Sequence, residues 1–261
     1  MPKADDMPEG FKRTEVGMIP EDWDVATLES VCQKSKQTTP KPDSEFEYID
    51  VSSVSNELFK ITGSTRYKGS DAPSRARKLI QKDDVLFATV RPTLKRIALV
   101  PSQYDQQICS TAFCVIRANQ NLTAPAFLFH SLLTDELNDR IAQLQRGANY
   151  PAVTDSNVLN QIVPLPPLPE QRAIAHVLSK IQSAAETQAR IAERARELKR
   201  GLMAKLFTEG LRGEPLKETE IGMMPEGWKS PSLGECITQA QYGLSVRGEV
   251  SGKYPILRMT N

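Results

Sequence analysis

The spacing of apolar residues divides this chain into two textures. From about Asp24 to Pro167 they mostly alternate or cluster in short runs, and beyond that they recur at three- and four-residue steps. Glu47-Tyr48-Ile49-Asp50-Val51 alternates and is β-prone, which predicts a strand. Asp84-Val85-Leu86-Phe87-Ala88-Thr89-Val90 follows the turn signal Lys82-Asp83 and predicts a buried one. Ile97–Val100 and Ala112–Ile116 predict two more. Between Pro125 and Leu144 the period becomes helical, through Phe127, Leu128, Leu132, Leu133, Leu137, Ile141 and Leu144, with Thr134-Asp135 as a break or a second start. Gly147–Pro151 reads as a loop and Ile162–Leu165 as a short exit strand.

The second texture begins at Leu165-Pro166-Pro167-Leu168-Pro169-Glu170-Gln171. Pro169 suits a first helical position, and Glu170 suits the positive first turn. No proline follows until after Phe207, and two heptad columns run through the segment. One holds Ile174, Ile181, Gln188, Ala195 and Leu202, and the other Val177, Ala184, Ile191, Leu198 and Lys205. This predicts a coiled-coil seam, with alanines allowing close approach and Gln188 setting register. The alternative is an amphipathic helix packed on its own domain. Gly210 is the stop signal. The fold class is α+β: a strand-rich mixed globular domain followed by a long α-helix of coiled-coil type.

The pattern also repeats. Thr14-Glu15-Val16-Gly17-Met18-Ile19-Pro20-Glu21-Asp22-Trp23 returns as Thr219-Glu220-Ile221-Gly222-Met223-Met224-Pro225-Glu226-Gly227-Trp228, displaced by 205 residues with seven of ten positions identical. Both tryptophans of the chain lie inside it, and Leu28 and Leu233 extend the match. So long a displacement is no solenoid period; it marks duplication of a domain with its connector. Gly17 and Pro20 punctuate a turn, and Trp23 offers apolar surface to clasp a domain edge. The expected organisation is a tail at 1–13, the mixed domain at 14–167, the helix at 168–210, and a linker with the incomplete start of a second domain at 211–261.

Composition then narrows the chemistry. The 261 residues are 39% hydrophobic and 25% charged, as in ordinary globular proteins. No apolar run approaches the roughly 18 residues of a membrane span, and Met1–Asp6 lacks the apolar core of a secretory signal. Cys32, Cys109, Cys114 and Cys236 form no C-x-x-C pair, and only His130 and His176 accompany them, which argues against zinc and for a reduced, cytoplasmic setting. The net charge of +1 conceals a segregation. Met1–Phe59 holds 6 basic and 13 acidic residues, whereas Lys60–Arg96 holds 10 basic and 3 acidic. A basic face attracts a polyanion, although a solvated surface gives the same count. There is no phosphate loop, no glycine-rich cofactor loop and no Asn/Asp-Pro-Pro-aromatic tetrad; the one Pro-Pro pair, Pro166-Pro167, sits between leucines. No catalytic site, metal or cofactor is expected.

Pro164-Leu165-Pro166-Pro167-Leu168-Pro169-Glu170-Gln171-Arg172-Ala173-Ile174-Ala175 ahead of a long helix resembles the specificity subunits of type I restriction–modification enzymes. The repeated Gly-x-x-Pro-Glu-x-Trp segments, Lys82–Pro92 and Gly147–Thr154 are similar to the same family, in its order, from about Lys12 onward. The resemblance implies a subunit with two target recognition domains, each followed by a helix, the helices packing antiparallel. Each domain then reads one half of a bipartite site in double-stranded DNA. The helices dock methyltransferase subunits, which use S-adenosylmethionine and in turn join restriction subunits, while the specificity subunit does no chemistry. Against that plan, this chain carries one recognition domain, one helix and the opening of a second domain. It is expected to be a truncated form that pairs as a homodimer through Ile174, Val177, Ile181, Ala184, Gln188, Ile191, Ala195, Leu198 and Leu202, facing a symmetric site.

Arginine can hold guanine bidentately and asparagine adenine, while lysine suits phosphate. The DNA-contact candidates are Arg66, Lys68, Arg75, Arg77, Arg91, Lys95, Arg96, Asn149 and Tyr150, with Lys60, Lys78 and Lys82 as further phosphate contacts. Arg91 leads, because it ends a buried strand ahead of Pro92. The alternatives are a local ion pair for Arg91 and packing against the helix for Tyr150. A coiled-coil scaffold without base reading is the competing function, and an autonomous methyltransferase or nuclease has no site in the sequence.

Overall fold

The computed structural model describes residues 8–147 and 150–239. The chain divides into one unit up to Ile191 and a second from Ala192. The first opens with the hairpin β1 (Phe11–Thr14) and β2 (Gly17–Pro20). Strand β3 (Asp24–Thr27) then leads through the single turn α1 (Leu28–Val31) into β4 (Cys32–Gln33). There follow β5 (Glu45–Ile49), β6 (Val54–Ser55), β7 (Lys60–Ile61), β8 (Thr65–Lys68), β9 (Ala76–Leu79), β10 (Val85–Ala88), β11 (Ile97–Leu99), β12 (Ile108–Ser110) and β13 (Phe113–Ala118). Helices α2 (Pro125–Leu132), α3 (Asp135–Gln143) and α4 (Asp155–Leu159) precede β14 (Ile162–Leu165), which returns to pair antiparallel with β3.

Two four-stranded sheets result, in the orders β11–β10–β13–β4 and β8–β5–β12–β9. The side-chain period of two explains how they stack. Val85 and Phe87 of β10 point into a cluster with Leu28, Leu128, Leu132, Leu137 and Ile141, on the helical side. Leu86 and Ala88 point the other way, among Ile49, Ile80 and Cys109 around the second sheet. The first sheet is therefore a middle layer, which is why β10 reads as an unbroken apolar run. Full burial of each large side chain contributes roughly 1.5–3 kcal/mol. The helical stretch breaks where the sequence predicted, with extended Thr134 ahead of α3 and Asp135 and Glu136 in its first turn.

The opening segment differs from expectation. Its sequence predicted only a turn, with residues 1–13 as a tail, but Phe11–Arg13 belong to a hairpin strand. Gly17 makes the reversal at φ +101°, a conformation that a Cβ disfavours, and Thr14 Oγ1 donates to its carbonyl at 2.9 Å.

Helix α5 (Leu168–Glu209) takes Pro169 in its first turn. Its first half is fastened to the domain along one line. The Trp23 indole N–H donates to Glu170 Oε2 at 3.0 Å. Gln171, fully buried, donates to the carbonyls of Leu122 (3.1 Å) and Pro166 (2.8 Å) and accepts from Thr123 Oγ1 (3.1 Å) and the Ala124 N–H (2.9 Å). Ala175 is buried, Ser179 Oγ lies 3.1 Å from His130 Nε2, Gln182 donates to the Leu58 carbonyl at 3.1 Å, and Glu186 pairs with Lys60 at 2.8 Å. Steps of three or four residues put these groups on one face. The heptad columns lie elsewhere: Val177, Ile181, Ile191, Leu198 and Leu202 are 57, 61, 53, 63 and 47% exposed. Ile174 is half-buried, and Ala184, Gln188 and Ala195 are exposed. Within the first unit the domain holds a polar line of the helix and leaves Val177, Ile181 and Ile191 exposed, so these apolar positions are not the face that packs on it.

In the second unit, Gly210 ends the helix at φ +68°, its N–H donating to the Leu206 carbonyl at 3.1 Å. Strands β15 (Leu216–Thr219) and β16 (Gly222–Pro225) then pair Leu216 with Pro225, matching Phe11 with Pro20 residue for residue. Gly222 turns at φ +105°, Thr219 Oγ1 donates to its carbonyl at 2.7 Å, and the turn α6 (Leu233–Cys236) stands where α1 stands in the first copy.

Two outcomes follow from the helix attachment. Gln171→Ala strands buried backbone groups, so it should destabilise the first unit by roughly 2–4 kcal/mol, read from the denaturant midpoint. Burial holds the His130 imidazole below its usual 6.5, so the unfolded chain takes up that proton first. Its contribution to stability is complete above that value and declines as pH falls, until the folded imidazole also protonates. Unfolding midpoints at about pH 7.5 and about pH 5.5 should differ less in His130→Gln than in the wild type.

Candidate nucleic-acid interface

Strand direction sorts the candidate residues between two ends of the sheets. β10 is antiparallel to β11 and β13, and β12 is antiparallel to β9. The last residues of β10 and β12 and the first of β9, β11 and β13 therefore share one edge. Backbone hydrogen bonds lace that edge together. Thr89 donates to the Ala112 carbonyl from its N–H (2.8 Å) and its hydroxyl (2.9 Å), and the Thr111 N–H donates to the Arg75 carbonyl (2.9 Å). The Val153 N–H donates to Thr89 (2.9 Å) and the Arg91 N–H to Pro151 (2.7 Å). Arg75, Thr111, Arg91, Arg146 and residues 150–153 thus form one continuous surface.

Arg91 stands at its centre. It is left-handed, at φ +49° and ψ +55°, as is Lys95 at φ +49° and ψ +44°. A side chain with a Cβ meets a cost of about 1–2 kcal/mol there, so such geometry persists only where surrounding bonds enforce it. The Arg91 guanidinium lies over the Tyr150 ring, 5.1 Å from its centroid, and Tyr150 is 71% exposed. Among the described residues Arg91 makes no ion pair, and the exposure of Tyr150 argues against packing on α5. A guanidinium over an aromatic face gains a cation–π attraction that does not use up its N–H donors. The Tyr150 loop is closed by Arg146 and Ala152, which exchange both backbone bonds at 3.0 Å. Exposed Arg146 adds a cation that the sequence reading missed, because it follows directly on a helical stretch. Asn149 lies outside the described residues.

Several other candidates are drawn into the fold. Lys95 pairs with Asp135 and holds that carboxyl below the usual range. Arg96 donates to the carbonyls of Val51 (3.3 Å) and Val54. Both brace the Pro92–Leu94 turn and are not free to read bases. Lys78, 6% exposed, donates to the Phe113 carbonyl at 2.6 Å and to Asp155, because a buried ammonium needs partners. Asp155 opens α4 just after the Tyr150 loop, so Lys78 supports the surface from beneath. Lys60 is taken by Glu186. Arg77, half-buried inside β9, donates to the Ala76 carbonyl at 3.0 Å. Arg66 pairs with Glu45, and Lys68 lies opposite Glu45 at the far end of the sheets. Lys82 is at that far end too, 3.9 Å from Asp83 and next to buried Asp84, which Arg117 holds bidentately at 2.8 and 2.7 Å. Exposed Lys34 and Lys36 flank β9, where the Leu79 N–H donates to Lys36 (3.2 Å) and the Thr38 N–H to Arg77 (2.8 Å). The sequence count had placed them in the acidic region.

Burial pushes the Cys32 thiol up to about 12 and raises Cys109 and Cys114 as well, so these thiols stay protonated. Among the described residues no group of three or more His, Cys, Asp or Glu is arranged to hold a metal ion, and no helix is long and apolar enough to cross a membrane.

Residues 20–195 match the family model described as the type I restriction modification DNA specificity domain. The chain belongs to that family. Among curated relatives of this specificity family, it is 24% identical over 210 residues to the type I restriction enzyme HindI specificity subunit of Haemophilus influenzae, covering 80% of this chain and 42% of that protein. It is 26% identical over 241 residues to the MjaVIII specificity subunit of Methanocaldococcus jannaschii, covering 88% and 52%. The crystal structure of the HsdS subunit from Thermoanaerobacter tengcongensis is similar at 39% identity and a TM-score of 0.61, over 81% of this chain and 53% of that one. A chain from a structure addressing complex assembly and conformational transition of the type I R-M system gives 39% and 0.60, over 83% and 55%. This chain spans about half the length of these relatives.

Proposed function

We propose that this chain is a non-catalytic, sequence-specific DNA-binding specificity subunit that reads one half of a bipartite site for a type I restriction–modification complex. The observation that carries this reading is the laced edge. Arg75, Arg91, Arg146 and Tyr150 stand exposed on it, with the Arg91 guanidinium over the Tyr150 ring. An interface of this kind separates two tasks. Arg75 and Arg146 neutralise phosphate, while Arg91 addresses the acceptor pair of a guanine. Family membership and the specificity-subunit relatives support the same reading. Methyltransferase subunits would dock on the chain, bring S-adenosylmethionine, and link it to restriction subunits. The chain itself needs no cofactor, and its place of action is the cytoplasm.

The open seam supports a homodimer. Val177, Ile181, Ile191, Leu198 and Leu202 form an apolar stripe, and a second copy of the helix offers the same heptad spacing in return. A scaffold without base reading would use the same stripe; DNA affinity that is salt-sensitive yet indifferent to Arg91→Ala would favour it.

Mixed with its cognate methyltransferase subunit, the chain should direct methylation to a defined site that neither component modifies alone. Arg91→Ala should relax selectivity at one base pair by roughly 1–3 kcal/mol, whereas Arg75→Ala should weaken all duplexes alike and lower the salt slope by about one. Lack of methylation by the mixture would refute the reading. Sedimentation of the chain alone should give a dimer mass, and Leu198→Glu should give a monomer.

A further inference from the structure

The turn that follows Arg91 is more tightly built than reading by one arginine requires. Pro92–Leu94 is a single 3-10 turn set between two left-handed residues, Arg91 and Lys95. The Leu94 N–H donates to the Arg91 carbonyl at 2.9 Å and the Lys95 N–H to the Pro92 carbonyl at 2.8 Å. Outside the turn, the Arg91 N–H ties it to Pro151, Lys95 ties it to Asp135, and Arg96 ties it to the carbonyls of Val51 and Val54. Pro92 is buried beneath it. This bracing leaves two side chains at the tip, Thr93, which is exposed, and Leu94, which is 43% exposed. A lone exposed leucine is ordinary on a protein surface. Here it sits three residues after exposed Arg91, on a rigid projection of the edge that also carries exposed Arg75 and Arg146.

We propose that Leu94 is a specificity-determining residue that packs against the C5-methyl group of a thymine, in the base step beside the one addressed by Arg91. The inference rests on the DNA-reading function proposed above. The thymine methyl is the one apolar feature that a base pair presents in the major groove, and only an apolar side chain distinguishes it from the bare ring edge. Arg75 and Arg146 on the same edge hold the phosphates and bring the leucine to the groove. Its rigidity matters because a mobile leucine loses rotamer freedom on contact, which offsets the gain from one methyl group. Lys95 and Arg96 act as positioning residues for this tip.

The test uses the full chain in complex with its cognate methyltransferase. A random duplex library is selected for binding, and each thymine of the enriched sequence is replaced in turn by uracil, which removes the methyl and nothing else. One position should lose about four-fold in affinity with the wild type, the value of one buried methyl. Leu94→Ala should lose that difference at the same position and keep its sensitivity to 7-deazaguanine at the guanine assigned to Arg91. Its unfolding midpoint should match the wild type. An unchanged thymine-to-uracil ratio in Leu94→Ala overturns the assignment, as does an enriched site without thymine at the step beside that guanine. Equal weakening on every duplex overturns it too, by making Leu94 a shape or subunit contact. Failure to enrich any sequence overturns the DNA-reading function itself.

Discussion

Strand β10 has no face turned to water, and the rest of the first unit is arranged around that constraint. Val85 and Phe87 must meet the helices, and Leu86 and Ala88 must meet the second sheet. A slip of one residue would exchange the two sets, so the register is fixed by packing on both sides. Thr89 then falls at the Ala112 carbonyl and Arg91 at the Pro151 carbonyl, with no slack between them. The strained conformation of Arg91 is a consequence of that fixed strand end together with the buried ring of Pro92. A surface built this way is stiff at its root, which is what the proposed discrimination between similar bases requires.

The same economy governs the charges. A stretch of ten basic residues suggests a uniformly cationic face, yet the fold spends several of them internally. Lys78 supports the sheet edge, Lys60 fastens the long helix, and Lys95 and Arg96 brace the turn after Arg91. Each such cation meets a carboxylate or a carbonyl, because desolvating it without a partner is costly. The cations left exposed along the laced edge come from separate parts of the chain, Arg75 and Arg91 from the basic stretch and Arg146 from the end of the helical stretch.

The duplicated opening segment separates local from non-local causes. Both copies close the same hairpin, with the same glycine reversal and the same threonine bond, as their near-identical sequences dictate. Burial does not follow the sequence in the same way. Leu28 is fully buried, whereas Leu233, its counterpart, is 77% exposed. The first has the helices and the middle sheet over it. Hairpin geometry is carried by residues a few positions apart; core packing belongs to whatever surrounds them.

The sequence by itself determined the long helix, the break at Thr134, the buried central strand, the duplication and the family, because each rests on short-range periodicity or on residues contiguous in the chain. Arg91 was legible for the same reason, since a buried strand ending before proline announces a fixed projection. Tertiary structure alone decided which cations face outward. That depends on pairings across the sheets, such as Thr111 with Arg75 and Arg91 with Pro151, which no spacing along the chain reveals. It also decided which line of α5 meets the domain. The heptad columns mark the apolar face, but the domain binds through Gln171, Ser179, Gln182 and Glu186, whose partners, the Pro166 carbonyl apart, lie 47 to 126 residues away in the chain. Polar complementarity between distant segments leaves no period in the sequence, and hydrophobic burial does.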